Sequence, residues 1–279
     1  MASSDVQANA DTNYVPLPGY VGNLTDAQRQ CLDRLKRELK EEGKFVEERM
    51  DDAMLLRARK FAYDAVKEML LSAEQWRVDF GVEDIRKNFN FKERGEVNKY
   101  YPQYYHNVDK DGRPVYIEQL GKLDIPALYQ ITTQERLLQH LVYEYEKCLS
   151  TRLKICSERA GHPVENFCTI FDLDGVGITT ASQVKEFVSQ VSGIGGRYPE
   201  TMGKFYFINT PWGFPTFWML IKGWLDPVAV SKIQILGSEY KGELLKQIPA
   251  ENLPKQFGGN CECPGGCSMS DTGPWNEAR

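Results

Sequence analysis

The chain has no hydrophobic run approaching 18 residues, and its first twenty, MASSDVQANADTNYVPLPGY, carry neither a basic region nor an apolar stretch. A membrane-spanning helix needs about 20 apolar residues, and a secretory signal needs both of those regions. A soluble intracellular protein is therefore expected. Histidine is scarce and scattered (His106, His140, His162), so Ser/His or Cys/His catalysis finds little support. The seven cysteines are few and dispersed except near the end, which favours free thiols over a disulfide framework. An excess of positive charge is also missing. The 34 basic against 39 acidic residues give −5, which argues against a broad nucleic-acid-binding surface. Internal repeats are absent. What is present, 42% apolar and 26% charged residues over 279 positions, fits one large globular domain with room for a small helical one.

The segment that organises the rest is KFYFINTPWGFPTFWMLIKGWLDPVAVSKIQIL, Lys204 to Leu236. Phe205 to Ile208 reads as a buried strand, and Asn209, Thr210, Pro211 and Gly213 break it. Pro215 suits a first helical position, where its missing N–H costs nothing. The helix that follows, Thr216 to Leu225, carries Phe217, Trp218, Met219, Leu220, Ile221 and Trp224 with one charge, Lys222. It is too short to span a bilayer and apolar on nearly every face. Such a helix is either core or a movable lid over an apolar cavity. After Asp226-Pro227, the residues Val228, Val230, Ile233, Ile235 and Leu236 read as a β-type segment containing Lys232. A lone lysine in an apolar run snorkels to solvent or faces an anionic headgroup at a pocket mouth.

Residues 1–23 read as a polar arm. Thr25 and Gln28 fit a capping box for an amphipathic helix with Ala27, Cys31, Leu35 and Leu39 inward. A short second helix, MLLRARKF, and a third from Asp64 to about Phe80, stopped by Gly81, complete a helical subdomain, 24–98. The turn Asp109-Lys110-Asp111-Gly112 joins two strands, the second Pro114 to Glu118. Thr132 and Glu135 cap a long helix. Strand Phe167 to Leu173, a helix from about Thr179 to Ser192, strand Phe205 to Ile208, the apolar helix and strand Ile233 to Leu236 follow. A last helix covers Tyr240 to Ile248. The fold class is α/β, a mainly parallel sheet covered by helices over 99–259. A Gly/Pro/Ser-rich tail, 260–279, reads as irregular.

Two motifs suggest other chemistry. FDLDGV imitates the nucleophile motif of haloacid-dehalogenase-type phosphatases, in which Asp172 would attack phosphorus and Asp174 act as acid/base. No adjacent acidic pair follows to complete a magnesium site, so both aspartates are expected to cap a strand and turn. Cys261, Cys263 and Cys267 offer three thiolates, whereas a structural zinc wants four ligands. Neither a fourth thiol nor a histidine lies nearby in sequence. No metal is therefore assigned, and a solvent-facing loop is expected.

Taken jointly, LLRARKF, YYPQYYHNVDKDGRPVYIE, FCTIFDLDG, RYPETMGKFYFINTPWGF, LDPVAVSKIQILG and LLKQIPAENLPKQFGG resemble the CRAL-TRIO lipid-binding family, and within it the fungal phosphatidylinositol/phosphatidylcholine transfer proteins. The resemblance runs from about Val21 to Gly259. It implies a helical N-terminal part and a sheet that encloses one lipid under an apolar gate helix. It implies no enzyme activity and no cofactor beyond the bound phospholipid. It further implies a monomer in transient contact with Golgi or endosomal membranes, peripheral and otherwise cytoplasmic, with a phosphatidylinositol kinase functionally downstream. Two acyl chains of about 15 methylenes, at about 0.8 kcal/mol each, oppose release into water by on the order of 20 kcal/mol, so a carrier must enclose them.

By position, the resemblance places Arg59, Lys60, Glu200 and Lys232 at an inositol-lipid headgroup. Tyr105, Tyr116, Tyr145 and Tyr198 fall in a choline-lipid region that also holds Phe167. Phe214, Phe217, Trp218, Met219 and Ile221 form the gate, with Gly259 tied to its movement. Four departures stand out, one of them IGGRYPET in place of a more polar ISQNYYPER-like run. LLRARKF is three residues shorter than the family's LLRFLRARKF. Ala229 replaces a threonine, and Phe167 replaces a small polar residue. Both headgroup sites are thereby weakened, the choline site more, and a neutral, sterol-like ligand becomes an alternative. A phosphatase at Asp172/Asp174 and a scaffold without ligand exchange are the others.

Overall fold

A computed structural model describes residues 15–16, 19, 22–50, 52, 55, 63–177, 189–191, 193–198, 201–224 and 227–277, without the side chains of Phe217, Leu220, Ile221 and Trp224. The chain divides into two compact units, a helical one drawn from 11–88 with 192–200, and a larger one from 89–191 with 201–279.

In the helical unit, α1 (Asp26–Glu41) starts at a complete capping box: the Thr25 side chain accepts from the Gln28 N–H, and the Gln28 side chain accepts from the Thr25 N–H. Its buried face is Leu32, Leu35 and Leu39. These pack with Met50, Leu55 and with Val66 and Leu70 of α2 (Tyr63–Phe80). Lys67 of α2 bonds Glu38 at 2.9 Å and Glu42 at 2.5 Å, tying α2 to the end of α1. Gly81, left-handed at φ 72°, ends α2, but the chain turns at once into α3 (Val82–Asn88), which buries Val82 and Ile85. The expected second helix, with Arg57, Arg59 and Lys60, lies outside the described residues.

The larger unit is a five-stranded sheet in the order β1-β2-β3-β4-β5: β1 (Gln103–Val108), β2 (Pro114–Gln119), β3 (Phe167–Asp172), β4 (Met202–Ile208) and β5 (Ile233–Ile235). β1 and β2 form an antiparallel hairpin, and the remaining pairs are parallel. Gly112 at φ 77° supplies the left-handed residue of the hairpin turn. Between β2 and β3 runs α4 (Gln134–Lys147), then a π-helical turn (Cys148–Arg152), then α5 (Leu153–Ala160), ended by Gly161 at φ 72°. Thr133 rather than Thr132 caps α4, accepting from Arg136 N. Thr132 instead donates to Glu93 at 2.8 Å. The helix expected over 179–192 lies largely outside the described residues.

Alternation along the strands separates two faces. On one, Tyr104, Val115, Ile117, Cys168, Ile170, Tyr206 and Ile208 form a dry core with Tyr240, Leu253, Phe257 and Leu244 of α8 (Lys241–Gln247, the last of the labelled helices). The other face carries Tyr105, Tyr116, Phe167, Thr169, Phe171, Phe205 and Phe207, with the apolar helix α6 (Phe214–Ile221) above Phe207. The β-type reading of Val228 and Val230 is corrected. Pro227–Ser231 is a short helix, α7, started by Pro227 at a helix-compatible φ and leaving Val228 exposed.

The tail also departs from its expected irregularity. Asn107 N–H donates to Thr272 O at 2.6 Å, and Asn98 Nδ2 to Ser268 Oγ at 2.9 Å. Asp271 accepts from Lys147 at 2.8 Å and Arg152 at 3.0 Å, and Trp275 Nε1 donates to the Asp271 carbonyl. Sequence composition alone hides these contacts because, apart from the Trp275–Asp271 bond, every partner lies more than 100 residues away.

Candidate functional site

The sheet's second face changes character from one edge to the other. Toward β1 it is closed: Tyr105, Tyr116 and Phe167 are buried with Cys148, Leu153 and Cys156 from the helices above. Toward β5 it is open. Phe171, Phe205 and Phe207 are only half-buried although they occupy interior strands, and Ile233 and Ile235 of the edge strand β5 are half-buried beside them. Their rings interlock, Phe171 with Phe205 at 4.7 Å and Phe205 with Phe207 at 4.7 Å. Apolar side chains left half-covered inside a packed sheet mark space for an apolar occupant.

α6 partly covers that space. Phe214 and Trp218, one turn apart, lie against Phe207 at ring distances of 5.1 and 6.4 Å. Met219 is 59% exposed on another side, and Trp212 just before the helix is 99% exposed. The helix thus presents apolar groups both to the sheet and to solvent, as the sequence indicated. The side chains of Phe217 and Ile221 lie outside the described residues.

Four of the five choline-region residues come together. Phe167 stands between Tyr105 (6.0 Å), Tyr116 (6.5 Å) and Tyr145 (5.9 Å). Tyr198 belongs to the helical unit, where it meets Trp76 edge to face at 5.9 Å. Two partners of this cluster were not singled out from the sequence. Arg152, 1% exposed, lays its guanidinium over the Tyr105 ring at 4.3 Å and near Trp275 at 5.5 Å, while bonding Glu144 and Asp271. Burial disfavours its charge, but the two carboxylates more than offset this, so its pKa lies above the ordinary arginine value. The π-turn makes this arrangement, since it ends α4 with an extra residue that turns Arg152 inward. Glu118 is the second. It accepts from Tyr101 at 2.5 Å and Tyr116 at 3.2 Å, and burial pushes its carboxyl pKa up despite those bonds. Thr169, buried and paired in register with Tyr116, adds a hydroxyl to the same face.

Of the inositol set, Lys232 is described. It sits at the entry to β5, its carbonyl accepting from Phe205 N–H at 2.9 Å. Arg59, Lys60 and Glu200 lie outside the described residues. Gly259 has no room for a side chain, because a Cβ there would fall 1.9 Å from the Leu253 carbonyl oxygen.

Asp172 is occupied structurally. Its carboxylate accepts from Gln119, Asn209 and the Asp174 N–H at 3.2, 2.8 and 3.1 Å, the strand-end cap expected of it. Asp174 is exposed. One expectation about the tail fails: although no histidine lies near the cysteines in sequence, the fold sets His106 of β1 against them.

Residues 98–259 match the CRAL/TRIO domain family. The Sec14 cytosolic factor of Schizosaccharomyces pombe is 54% identical over 263 residues, 93% of this chain and 91% of that protein. The SEC14 cytosolic factor of Kluyveromyces lactis is 52% identical, over 94% of this chain and 88% of its own. The phosphatidylinositol/phosphatidylcholine transfer protein SFH7 of Arabidopsis thaliana is 44% identical over 80% of this chain and 41% of its own. The crystal structure of Sfh5 shares the fold, with TM-score 0.58 at 20% identity over 78% of this chain and 82% of that one. No helix among the described residues is long and apolar enough to cross a membrane. With a half-open aromatic sheet face under an apolar helix, and a match across more than half its length, the chain belongs to the CRAL/TRIO domain family.

Proposed function

We propose that this protein binds one phospholipid with its acyl chains against Phe171, Phe205 and Phe207, and exchanges it between membranes as a carrier rather than an enzyme. The half-covered sheet face beneath a helix that is apolar on both sides is the observation that supports it. Relatives bearing the names Sec14 cytosolic factor and phosphatidylinositol/phosphatidylcholine transfer protein agree with it. α6, with Trp212 and Met219 outward, would meet the bilayer during exchange and close over the lipid in transit. Action from the cytosol at Golgi-type membranes, as a monomer supplying substrate to a phosphatidylinositol kinase, belongs to the same proposal.

The inositol lipid is the favoured ligand. Lys232 supplies a cation for its phosphate, with Arg59, Lys60 and Glu200 assigned by resemblance. In the choline region Phe167 fills the centre, and Arg152 already covers the Tyr105 face that a quaternary ammonium would use. The test is transfer of labelled phosphatidylinositol and phosphatidylcholine between donor and acceptor vesicles. Faster movement of the inositol lipid supports this reading, and absence of transfer of either refutes it.

A further inference from the structure

We propose that His106, Cys261, Cys263 and Cys267 form a zinc site that clamps the C-terminal tail onto strand β1. Their ligand atoms all lie within 4.8 Å of one another, on segments 155 or more residues apart. The His106 Nε2 to Cys261 Sγ distance is 3.3 Å, and the Cys261 Sγ to Cys263 Sγ distance is 3.7 Å. A tetrahedral zinc with Zn–S of about 2.3 Å and Zn–N of about 2.0 Å has S···S edges of about 3.8 Å and S···N edges of about 3.5 Å. These two spacings are close to those edges, and the remaining pairs, all within 4.8 Å, would draw in by up to about 1 Å around the metal. They exceed the roughly 2.05 Å of a disulfide, and all three cysteines are reduced.

Each ligand is held by backbone rather than left on a floppy loop. β1 fixes His106, which is fully buried. Cys261 forms a bridge with Pro254, its N–H donating to Leu253 O and its carbonyl accepting from Lys255 N–H. The Gly265-Gly266 turn, with φ values of 78° and 93°, reverses the chain so that Cys267 returns to Cys261. Among the described residues His106 Nδ1 is buried with no hydrogen-bond partner, and Nε2 lies 3.3 Å from Cys261 Sγ. Three thiolates and one imidazole are a donor set suited to zinc in a closed tetrahedral site. Four protein ligands leave no open position, so the metal is structural and not catalytic. The neighbouring bonds from Asn107 to Thr272 and from Cys263 to Thr272 continue the clamp along the strand.

The experiment measures zinc in the purified full-length chain by elemental analysis, its release by a thiol-blocking mercurial, and the X-ray absorption fine structure of the bound metal. One zinc per chain with a three-sulfur, one-nitrogen shell, lost to background in Cys263→Ser and retained in Cys31→Ser, is the expected result. Cobalt substitution should give thiolate charge-transfer bands in the unmutated chain, a readout that stands even if Cys263→Ser fails to fold. Metal-free protein after preparation with zinc, a shell lacking the three sulfurs, zinc retained by Cys263→Ser, or a disulfide among the three cysteines in its place would each overturn the site.

Discussion

Arg152 shows how much a single residue holds. It is a fully desolvated cation bonded to two carboxylates and laid over two aromatic rings, and one of its carboxylates, Asp271, anchors the tail. Truncating it removes the guanidinium that joins Glu144 to Asp271 and leaves Asp271 with Lys147 as its cation, so Arg152→Ala should cost about 3 kcal/mol, read from urea unfolding. Burial tends to raise the Asp271 carboxyl, but Arg152 and Lys147 outweigh it and hold its pKa below the ordinary aspartate value. A depressed folded pKa gives stability that is complete above the unfolded value of about 3.9 and is lost as pH falls through the folded one. Acid below about pH 4 should therefore loosen the tail. Limited proteolysis across pH should show this step in the wild type, and Asp271→Asn should remove it. Phe167 carries the specificity prediction: Phe167→Ser should raise phosphatidylcholine uptake relative to phosphatidylinositol while costing about 3–5 kcal/mol of stability. An unchanged lipid ratio would remove Phe167 from the headgroup region. Arg152's partnerships could not be read from the chain, because Tyr105, Asp271 and Trp275 are distant in sequence and the eight-residue spacing to Glu144 signals a contact only through the π-turn.

At the scale of elements, what was legible followed periodicity. The capping box of α1, the β1–β2 hairpin, the parallel strands and the apolar character of α6 were all written in spacing or turn chemistry. Misreadings arose where a local pattern had two solutions. Val228 and Val230 favour a strand by branching, yet Pro227 starts a helix over Pro227–Ser231, and the paired register with β4 runs from Ile233 to Ile235. Gly81 ends α2 as expected, but Val82 and Ile85 still find burial, so a further helix follows. The site was legible in type rather than in assembly. Aromatic residues in β3 and β4 announce a greasy face, whereas its half-open state depends on what α6 covers. Met219→Asp and Trp212→Asp should slow vesicle-to-vesicle transfer severalfold while changing stability by no more than about 0.5 kcal/mol, since both side chains are exposed. A transfer rate equal to wild type would show that this helix does not meet the bilayer. Gly259→Ala belongs to the opposite class. Its Cβ collides with the Leu253 carbonyl, so the backbone must move at a cost of about 1–3 kcal/mol, visible in the melting temperature before any effect on transfer is considered.

For the whole molecule, the two faces of the sheet divide the labour. One face is packed dry against α8 and the segment around Leu253, giving a rigid floor. The other is sealed near β1 and left half-open near β5, where the proposed acyl chains would lie. A carrier needs this asymmetry, because a uniformly packed sheet has no vacancy and a uniformly open one would expose its aromatics permanently. The central claim is that a phospholipid fills the opening. The direct measurement is native mass spectrometry of the protein re-isolated from mixed-lipid vesicles. One phospholipid per chain is expected, phosphatidylinositol in excess over phosphatidylcholine, with loss of that excess in Lys232→Ala and the fold intact. A neutral sterol-like ligand, or a chain that emerges without lipid, would contradict it.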